Sequence, residues 1–180
     1  NSPRTPLSAE TGGKNAIIVD ETADVEAAAE GVVNSAFTLQ GQKCSACSRA
    51  IVHEDVYDVF VEKLTDLVKR LETGSGRDNK AVGPVISKGA FDKIASYIDH
   101  GKENDTLLFG GSYNDETGYM IEPTAFGVTK DSRIAREEIF GPVLGIIKYT
   151  DFNEALEIVN STEYALTGSL YSQDKEHMDK

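Results

Sequence analysis

Residues 16–20 read AIIVD, an apolar run of β-prone side chains that ends on a carboxylate. The run predicts a buried strand at residues 16–19. From Asp24 onward apolar residues recur at helical spacing, which predicts a helix capped by Asp24 that stops near Gly41. A second short strand is predicted at residues 50–52, so the region forms a strand–helix–strand unit.

The same alternation continues along the rest of the chain. Amphipathic helices are predicted at residues 56–71, 89–103 and 151–160, the last opened by a capping pair of Asp151 and Glu154. Extended segments are predicted at residues 107–109, 119–128, 143–149 and 166–171. Strands that alternate with helices of about 10 to 18 residues indicate an α/β domain with a largely parallel sheet flanked by helices.

Length and charge narrow the classes of function. The chain has 180 residues, which is enough for one ordinary domain with a real core. Eighteen Lys and Arg against 30 Asp and Glu give a net charge of −12, which disfavours nucleic acids and anionic membranes as partners. The sequence has no apolar run near the 18 or so residues of a membrane helix, and residues 1–10 lack a signal pattern.

The two cysteines lie in the connection between the first helix and the second strand, where residues 40–49 read QGQKCSACSR. Four interpretations stay open for Cys44 and Cys47: a redox pair, a zinc site, a catalytic thiol beside a structural one, or two inert buried thiols. Zinc needs four ligands, and no histidine pair has ligand spacing. Lys43 or Arg49 would favour a reactive thiolate, whereas cysteine is also among the most buried residue types.

Two further stretches place carboxylates beside glycines just before a predicted strand. Residues 10–14 read ETGGK, and the glycine pair would let Glu10 reach into a pocket. Residues 136–143 read REEIFGPV, where a carboxylate could accept hydrogen bonds from sugar hydroxyls. The phosphate-loop spacing is missing, and the plainer interpretation of both stretches is a solvated surface carboxylate.

Together and in this order, the three stretches resemble the signatures of the aldehyde dehydrogenase superfamily. ETGGK resembles its glutamate-Gly-Gly-Lys signature, GQKC at residues 41–44 its cysteine signature, and EIFGP at residues 138–142 its Glu-x-Phe-Gly-Pro signature. The sequence of residues 40–52 is similar to that of the subfamily whose members oxidise glutamate semialdehyde. The resemblance covers residues 9–180. Residues 1–8 are expected to be an irregular lead-in, either an artificial addition or a divergent boundary of the domain.

The resemblance implies a role for each matching residue. Cys44 is expected to be the nucleophile that forms a thiohemiacetal and then a thioester, and Glu10 the general base for hydrolysis. Glu138 is expected to bind the nicotinamide-ribose hydroxyls of NAD, with Phe140 near the nicotinamide. Ser45 is a candidate for binding the substrate carboxylate, and no metal is implied.

The resemblance also implies that residues 9–180 are an incomplete catalytic domain. The nucleotide-binding region of the family precedes Glu10, and a C-terminal segment follows Lys180, so little activity is expected of this chain alone. The full-length enzyme is expected to be a cytoplasmic homo-oligomer, or one of the mitochondrial matrix in a eukaryote, acting on a small aldehyde without nucleic acid or membrane. The alternatives are another semialdehyde as substrate and a non-catalytic interaction fragment.

Overall fold

The computed structural model describes residues 10–78 and 80–180, so the predicted lead-in at residues 1–8 lies outside the described residues. The strands are β1 (Asn15–Val19), β2 (Cys47–His53), β3 (Thr106–Phe109), β4 (Tyr113–Asn114), β5 (Met120–Ile121), β6 (Thr124–Gly127), β7 (Val143–Tyr149) and β8 (Gly168–Tyr171). The helices are α1 (Val25–Phe37), α2 (Glu54–Val68), α3 (Lys88–Asn104), α4 (Arg133–Arg136), α5 (Phe152–Val159) and α6 (Lys175–Met178).

One six-stranded sheet organises the described part of the chain, in the order β3-β6-β7-β2-β1-β8. Every neighbouring pair is parallel except β3 and β6. The α/β class with a largely parallel sheet is therefore confirmed. The inner strands β1, β2 and β7 are almost entirely buried on both faces, as expected of parallel strands covered by helices.

Helices cover both faces of the sheet and bury separate clusters. On one face α1 and α2 pack Val32, Ala36, Phe60 and Leu64 against the strands. On the other face α5 packs Phe152, Ala155 and Ile158 against Ile18, Ile51 and Ile147. Helix α3 packs Phe91, Ile94 and Ile98 near β6 and β7. The predicted helical periodicities therefore mark the faces that are buried.

Local capping explains where the helices begin. Asp24 caps α1, as predicted, because its carboxylate accepts hydrogen bonds from the amides of Glu26 and Ala27, both at 3.1 Å. Asp151 caps α5 through the amide of Asn153 at 2.9 Å. The predicted reciprocal bond is wrong in detail, because Glu154 accepts from the amide of Thr150 rather than that of Asp151.

Several predicted boundaries differ from the structure. Helix α2 ends at Val68, whereas the prediction extended it to residue 71. Leu71 keeps the apolar spacing and packs on the core although it lies beyond the helix, and the apolar spacing therefore made the prediction too long. Strand β2 begins at Cys47, three residues before the prediction, and β8 begins only at Gly168. Pro123 divides the predicted extended stretch into β5 and β6, since proline cannot donate a ladder hydrogen bond. Within residues 10–78 and 80–180, every helix is too short or too polar to cross a bilayer.

Candidate functional site

The three motif stretches meet at the amino-terminal edge of the parallel strands. Residues 10–14 lead into β1, residues 42–46 lead into β2, and residues 137–142 lead into β7. Because these strands are parallel neighbours, the loops that enter them lie side by side. Open α/β sheets usually bind ligands at the carboxyl ends of their strands, so this site uses the opposite edge.

Cys44 lies on a tight turn immediately before β2. The turn is closed by a hydrogen bond of 3.0 Å from the amide of Ala46 to the carbonyl of Lys43. Cys44 and Ser45 occupy its two central positions and are both exposed. A thiol in this position is open to a reagent or a substrate.

Cys47 has a different environment three residues later. Its side chain is buried in the cluster beneath α1, and the thiol lies 3.4 Å from the carbonyl of Arg49. Burial raises the pKa of the Cys47 thiol to about 12. One cysteine is thus accessible and the other is held neutral, which fits a catalytic thiol beside a structural one and counts against a redox pair.

Glu138 joins the first and third motifs. Its Oε1 accepts a hydrogen bond of 2.8 Å from the amide of Gly13, so its carboxylate lies against the ETGGK stretch. The ammonium of Lys93, on α3, donates to the backbone carbonyl of Glu138 at 2.9 Å and fixes the loop from the other side. Among the described residues Oε2 of Glu138 accepts no hydrogen bond, so it can accept one from a hydroxyl group.

The remaining predicted site residues are less constrained. Glu10 is exposed and makes no hydrogen bond to another described residue, so the geometry brings its motif, but not its carboxylate, against the Cys44 turn. Phe140 is 40% exposed and has a backbone φ of 60°, an uncommon conformation for a non-glycine residue. Strained backbone of this kind is frequent at ligand sites.

Two motif glycines are required by close backbone approach. A Cβ at Gly13 would lie 2.3 Å from the carbonyl oxygen of Cys44, so any side chain there would push the two loops apart. Gly41 has a φ of +65°, and a Cβ there would lie 2.3 Å from the carbonyl oxygen of Gly141. The glycines therefore let the second motif contact the first and the third.

Lys14 is a buried lysine at the site. Its side chain is 2% exposed, and its ammonium has no hydrogen-bond partner among the residues that the structure describes. Burial, assisted by the charge of Arg49, lowers the pKa of Lys14 to about 7. At neutral pH a large share of this side chain is therefore an uncharged amine.

The sequence analysis missed three residues that hold these loops together. Asn15 binds two carbonyls of the Cys44 turn, Gln42 accepts a hydrogen bond of 2.9 Å from the amide of Ile86, and Lys93 binds the Glu138 carbonyl. Gln42 lies inside a quoted motif stretch and Asn15 directly follows one, so their positions were a usable signal. Nothing in the local sequence distinguishes Lys93 from other helix-surface lysines.

A second polar cluster lies at the carboxyl edge of the sheet. Ligand-type atoms of Asp20, Glu21 and His177 come within 4.8 Å of one another. Asp20 is fully buried and accepts hydrogen bonds from the hydroxyls of Thr22 and Ser172. Neither cysteine takes part, so this cluster is unrelated to the Cys44 turn.

Comparison with known proteins gives a consistent match. The model of the aldehyde dehydrogenase family matches residues 2–180. The 1-pyrroline-5-carboxylate dehydrogenase of Staphylococcus aureus (strain JH1) is 53% identical over 173 residues, which is 96% of this chain and 34% of that protein. This chain therefore spans about a third of the length of the curated relatives it matches.

Solved structures agree with the sequence comparison. A 1-pyrroline-5-carboxylate dehydrogenase from Thermus with bound NAD superposes with a TM-score of 0.92 at 50% identity, covering 94% of this chain and 33% of that one. Proline utilization A from Bdellovibrio bacteriovorus, inactivated by N-propargylglycine, gives a TM-score of 0.91 at 44% identity, covering 94% and 18%.

Proposed function

The chain belongs to the aldehyde dehydrogenase family, and we propose that it forms the catalytic part of an NAD-dependent dehydrogenase that oxidises L-glutamate 5-semialdehyde to glutamate in proline degradation. The observation that carries the proposal is the convergence of three motifs around one exposed thiol: Gly13 contacts both the Cys44 turn and Glu138. The identity of 50% or more to two 1-pyrroline-5-carboxylate dehydrogenases supports the substrate.

The chemistry begins at Cys44. Its thiolate attacks the aldehyde carbon and forms a C–S bond, which gives a thiohemiacetal whose oxygen carries the negative charge. The backbone amide of Cys44 is a candidate donor to that oxygen. Collapse of the thiohemiacetal would transfer hydride to the acceptor that NAD supplies when bound, and it leaves a thioester on Cys44.

Hydrolysis of the thioester needs a base. Glu10 takes a proton from water, the resulting hydroxide attacks the thioester carbonyl, and the C–S bond breaks to release glutamate and the Cys44 thiolate. Glu10 is exposed, and its carboxylate accepts no hydrogen bond from another described residue. Ser45, exposed beside Cys44, is our candidate for binding the substrate carboxylate.

The cofactor that the family implies fits the residues present. Glu138 offers Oε2 for a ribose hydroxyl, and Phe140 presents an exposed ring on the same loop. NAD, when bound, supplies the hydride acceptor. We assign its nucleotide-binding region, and the C-terminal segment that completes the site, to parts of the enzyme beyond residues 9–180. A cytoplasmic homo-oligomer, or a matrix one in a eukaryote, stays a prediction for that full-length enzyme.

Selective labelling tests the assignment of Cys44. Limiting iodoacetamide, followed by peptide mass spectrometry, should alkylate Cys44 and leave Cys47 unmodified, because the Cys47 thiol is buried and its pKa is raised. In the full-length enzyme, Cys44→Ala should abolish NADH formation from 1-pyrroline-5-carboxylate, whereas the matched Cys47→Ala variant should retain it. Loss of activity in both variants to the same extent would contradict the assignment.

The incomplete site gives a second expectation. The resemblance implies that the nucleotide-binding region outside residues 9–180 also supplies an oxyanion donor, and losing one such donor costs an enzyme roughly 10²- to 10³-fold in rate. The purified chain should therefore produce almost no NADH by itself, and measurable turnover would contradict this expectation. Comparison of aldehydes on the full-length enzyme separates glutamate semialdehyde from another semialdehyde as substrate.

A further inference from the structure

Asn15, the first residue of β1, makes side-chain contacts that reach the nucleophile turn. Its Nδ2 donates to the carbonyl of Cys44 at 2.7 Å and to the carbonyl of Ala46 at 2.9 Å. Its Oδ1 accepts from the amide of Thr167 at 3.1 Å. Asn15 is 5% exposed, and its amide group thus bonds two carbonyls of the turn and the loop that enters β8.

The backbone around Asn15 is arranged for these contacts. Asn15 pairs with Cys47 and Ala16 with Arg49, so Ser48 is an extra residue on β2 at this point. This β-bulge displaces the start of β2 and lets the Cys44 carbonyl face the Asn15 side chain. The missing side chain of Gly13 leaves room for the same carbonyl, whose oxygen would otherwise meet a Cβ at 2.3 Å.

An asparagine side chain matches the hydrogen-bonding groups around position 15 better than aspartate or serine would. Both carbonyl oxygens of the turn are acceptors, so they require a group with two donors, and the Thr167 amide requires an acceptor. Only an amide supplies all three in one short side chain. Aspartate would place a charged acceptor against two carbonyl oxygens, and serine can donate to only one.

We propose that Asn15 is the positioning residue of the nucleophile: it fixes the turn that presents the Cys44 thiol and ties it to the loop before β8. The proposal deepens the proposed function and rests on it for the role of Cys44. Misplacement of a reacting group by about 1 Å can cost roughly 10²-fold in rate. Asn15 acts through the backbone of the turn and does not contact the reacting atoms.

Amide hydrogen exchange tests the hold on the turn independently of activity. Asn15→Ala should accelerate exchange in peptides that contain residues 43–46 by about tenfold, because two side-chain hydrogen bonds to the turn are lost. Asn15→Ser should give a smaller acceleration and serves as the milder variant. Ser172→Ala, which removes a partly buried hydrogen bond to Asp20 just beyond the other end of β1, should leave the turn unchanged.

Kinetics of the full-length enzyme supply the functional readout. Asn15→Ala should lower kcat by about 10²-fold with little change in KM for the aldehyde, and Ser172→Ala should change neither. Unchanged exchange at residues 43–46 in a folded Asn15→Ala protein would overturn the proposal, as would failure of both Asn15 variants to fold. If the wild-type enzyme oxidises no aldehyde, the proposed function fails, while accelerated exchange still establishes that Asn15 holds the turn.

Discussion

At the scale of single residues, Lys14 makes the free energy of unfolding depend on pH. Burial lowers its pKa to about 7 in the folded protein, whereas an unfolded lysine titrates at about 10.4. Between these two values the unfolded chain binds a proton that the folded protein has released. The contribution of Lys14 to the free energy of unfolding therefore rises with pH across this window, and it is least favourable below about pH 7.

Replacing Lys14 by methionine should remove this dependence. In the wild type the free energy of unfolding should increase between pH 7 and about 8.5, by at most about 1.4 kcal/mol per pH unit from this residue. Lys14→Met should flatten the slope and stabilise the protein at pH 7, since no buried charge remains. Urea unfolding of the wild type and of Lys14→Met at several pH values measures this slope, with Lys69→Met, at an exposed position, as the control.

The window ends near pH 8.5 because Cys47 acts in the opposite direction. Its pKa is raised to about 12 by burial, so above about pH 8.5 the unfolded thiol loses a proton that the folded one keeps. Stability contributed by Cys47 therefore falls as pH rises further. An Lys14→Met protein with the wild-type slope between pH 7 and 8.5 would show that another group is responsible.

Single residues also show what the sequence could predict. Cys44 and Glu138 were chosen from short motifs, and the structure brings their loops into contact through Gly13. The roles of these residues stay predictions. Lys14 was quoted only as part of a motif and Asn15 was not singled out, because their importance comes from neighbours 29 or more positions away along the chain. Such contacts depend on strand register, which short-range patterns do not encode.

At the scale of elements, Arg49 ties β2 to α5. Its guanidinium donates to the carbonyls of Ile158 at 2.8 Å and Val159 at 3.0 Å, and twice to the carbonyl of Lys14. A cation at the carboxyl end of a helix is favourable because the last carbonyls lack partners and carry partial negative charge. The buried charge is thus satisfied by backbone dipoles.

Arg49→Lys should weaken this connection although it keeps the charge. Lysine cannot reproduce the planar fork that bonds three carbonyls, so we expect a loss of about 2 kcal/mol in the free energy of unfolding. Arg136→Lys, an exposed arginine at the end of α4, is the matched control and should change stability by less than about 0.5 kcal/mol. Equal losses in the free energy of unfolding for the two substitutions, measured by urea unfolding, would contradict the role of Arg49 in connecting β2 to α5.

The elements themselves were largely predictable from apolar spacing. The long helices α1, α2 and α3 repeat their apolar residues often enough to be recognised, and β7 is a strongly apolar run. Short elements such as α4 and α6 have too few residues to show a period. The sheet order was not predictable, because nothing local states that β8 pairs with β1 rather than with β7.

At the scale of the whole molecule, the sheet separates two polar regions. The amino-terminal edge carries the Cys44 turn, and the carboxyl edge carries Asp20 with His177 from α6. Burial raises the pKa of Asp20, but hydrogen bonds with Glu21, Ser172, Thr22 and His177 outweigh it and hold the pKa well below its usual range. Strand β1 has five residues at about 3.3 Å each, so its ends lie roughly 13 Å apart.

The separation predicts that the two edges respond independently. The His177 ring stacks on Phe152 with centroids 4.0 Å apart, and its Nδ1 lies 3.2 Å from both carboxylate oxygens of Asp20. His177→Ala should therefore lower the free energy of unfolding by about 1 to 2 kcal/mol, while leaving the alkylation rate of Cys44 unchanged. His100→Ala, whose Nδ1 lies 3.4 Å from Nδ2 of Asn104 on the same helix, is the histidine control.

A double variant with one substitution at each edge tests whether the two edges are coupled. Substitutions that are distant and share no partner add within about 0.5 kcal/mol, whereas neighbours do not. The loss of stability in the double variant Asn15→Ser with His177→Ala should therefore equal the sum of the two single losses. A coupling well above that limit, or a changed Cys44 alkylation rate in His177→Ala, would mean that β1 transmits the state of the carboxyl edge to the Cys44 turn. Additivity would instead mean that the two edges are independent, so that the Cys44 turn depends on its own contacts.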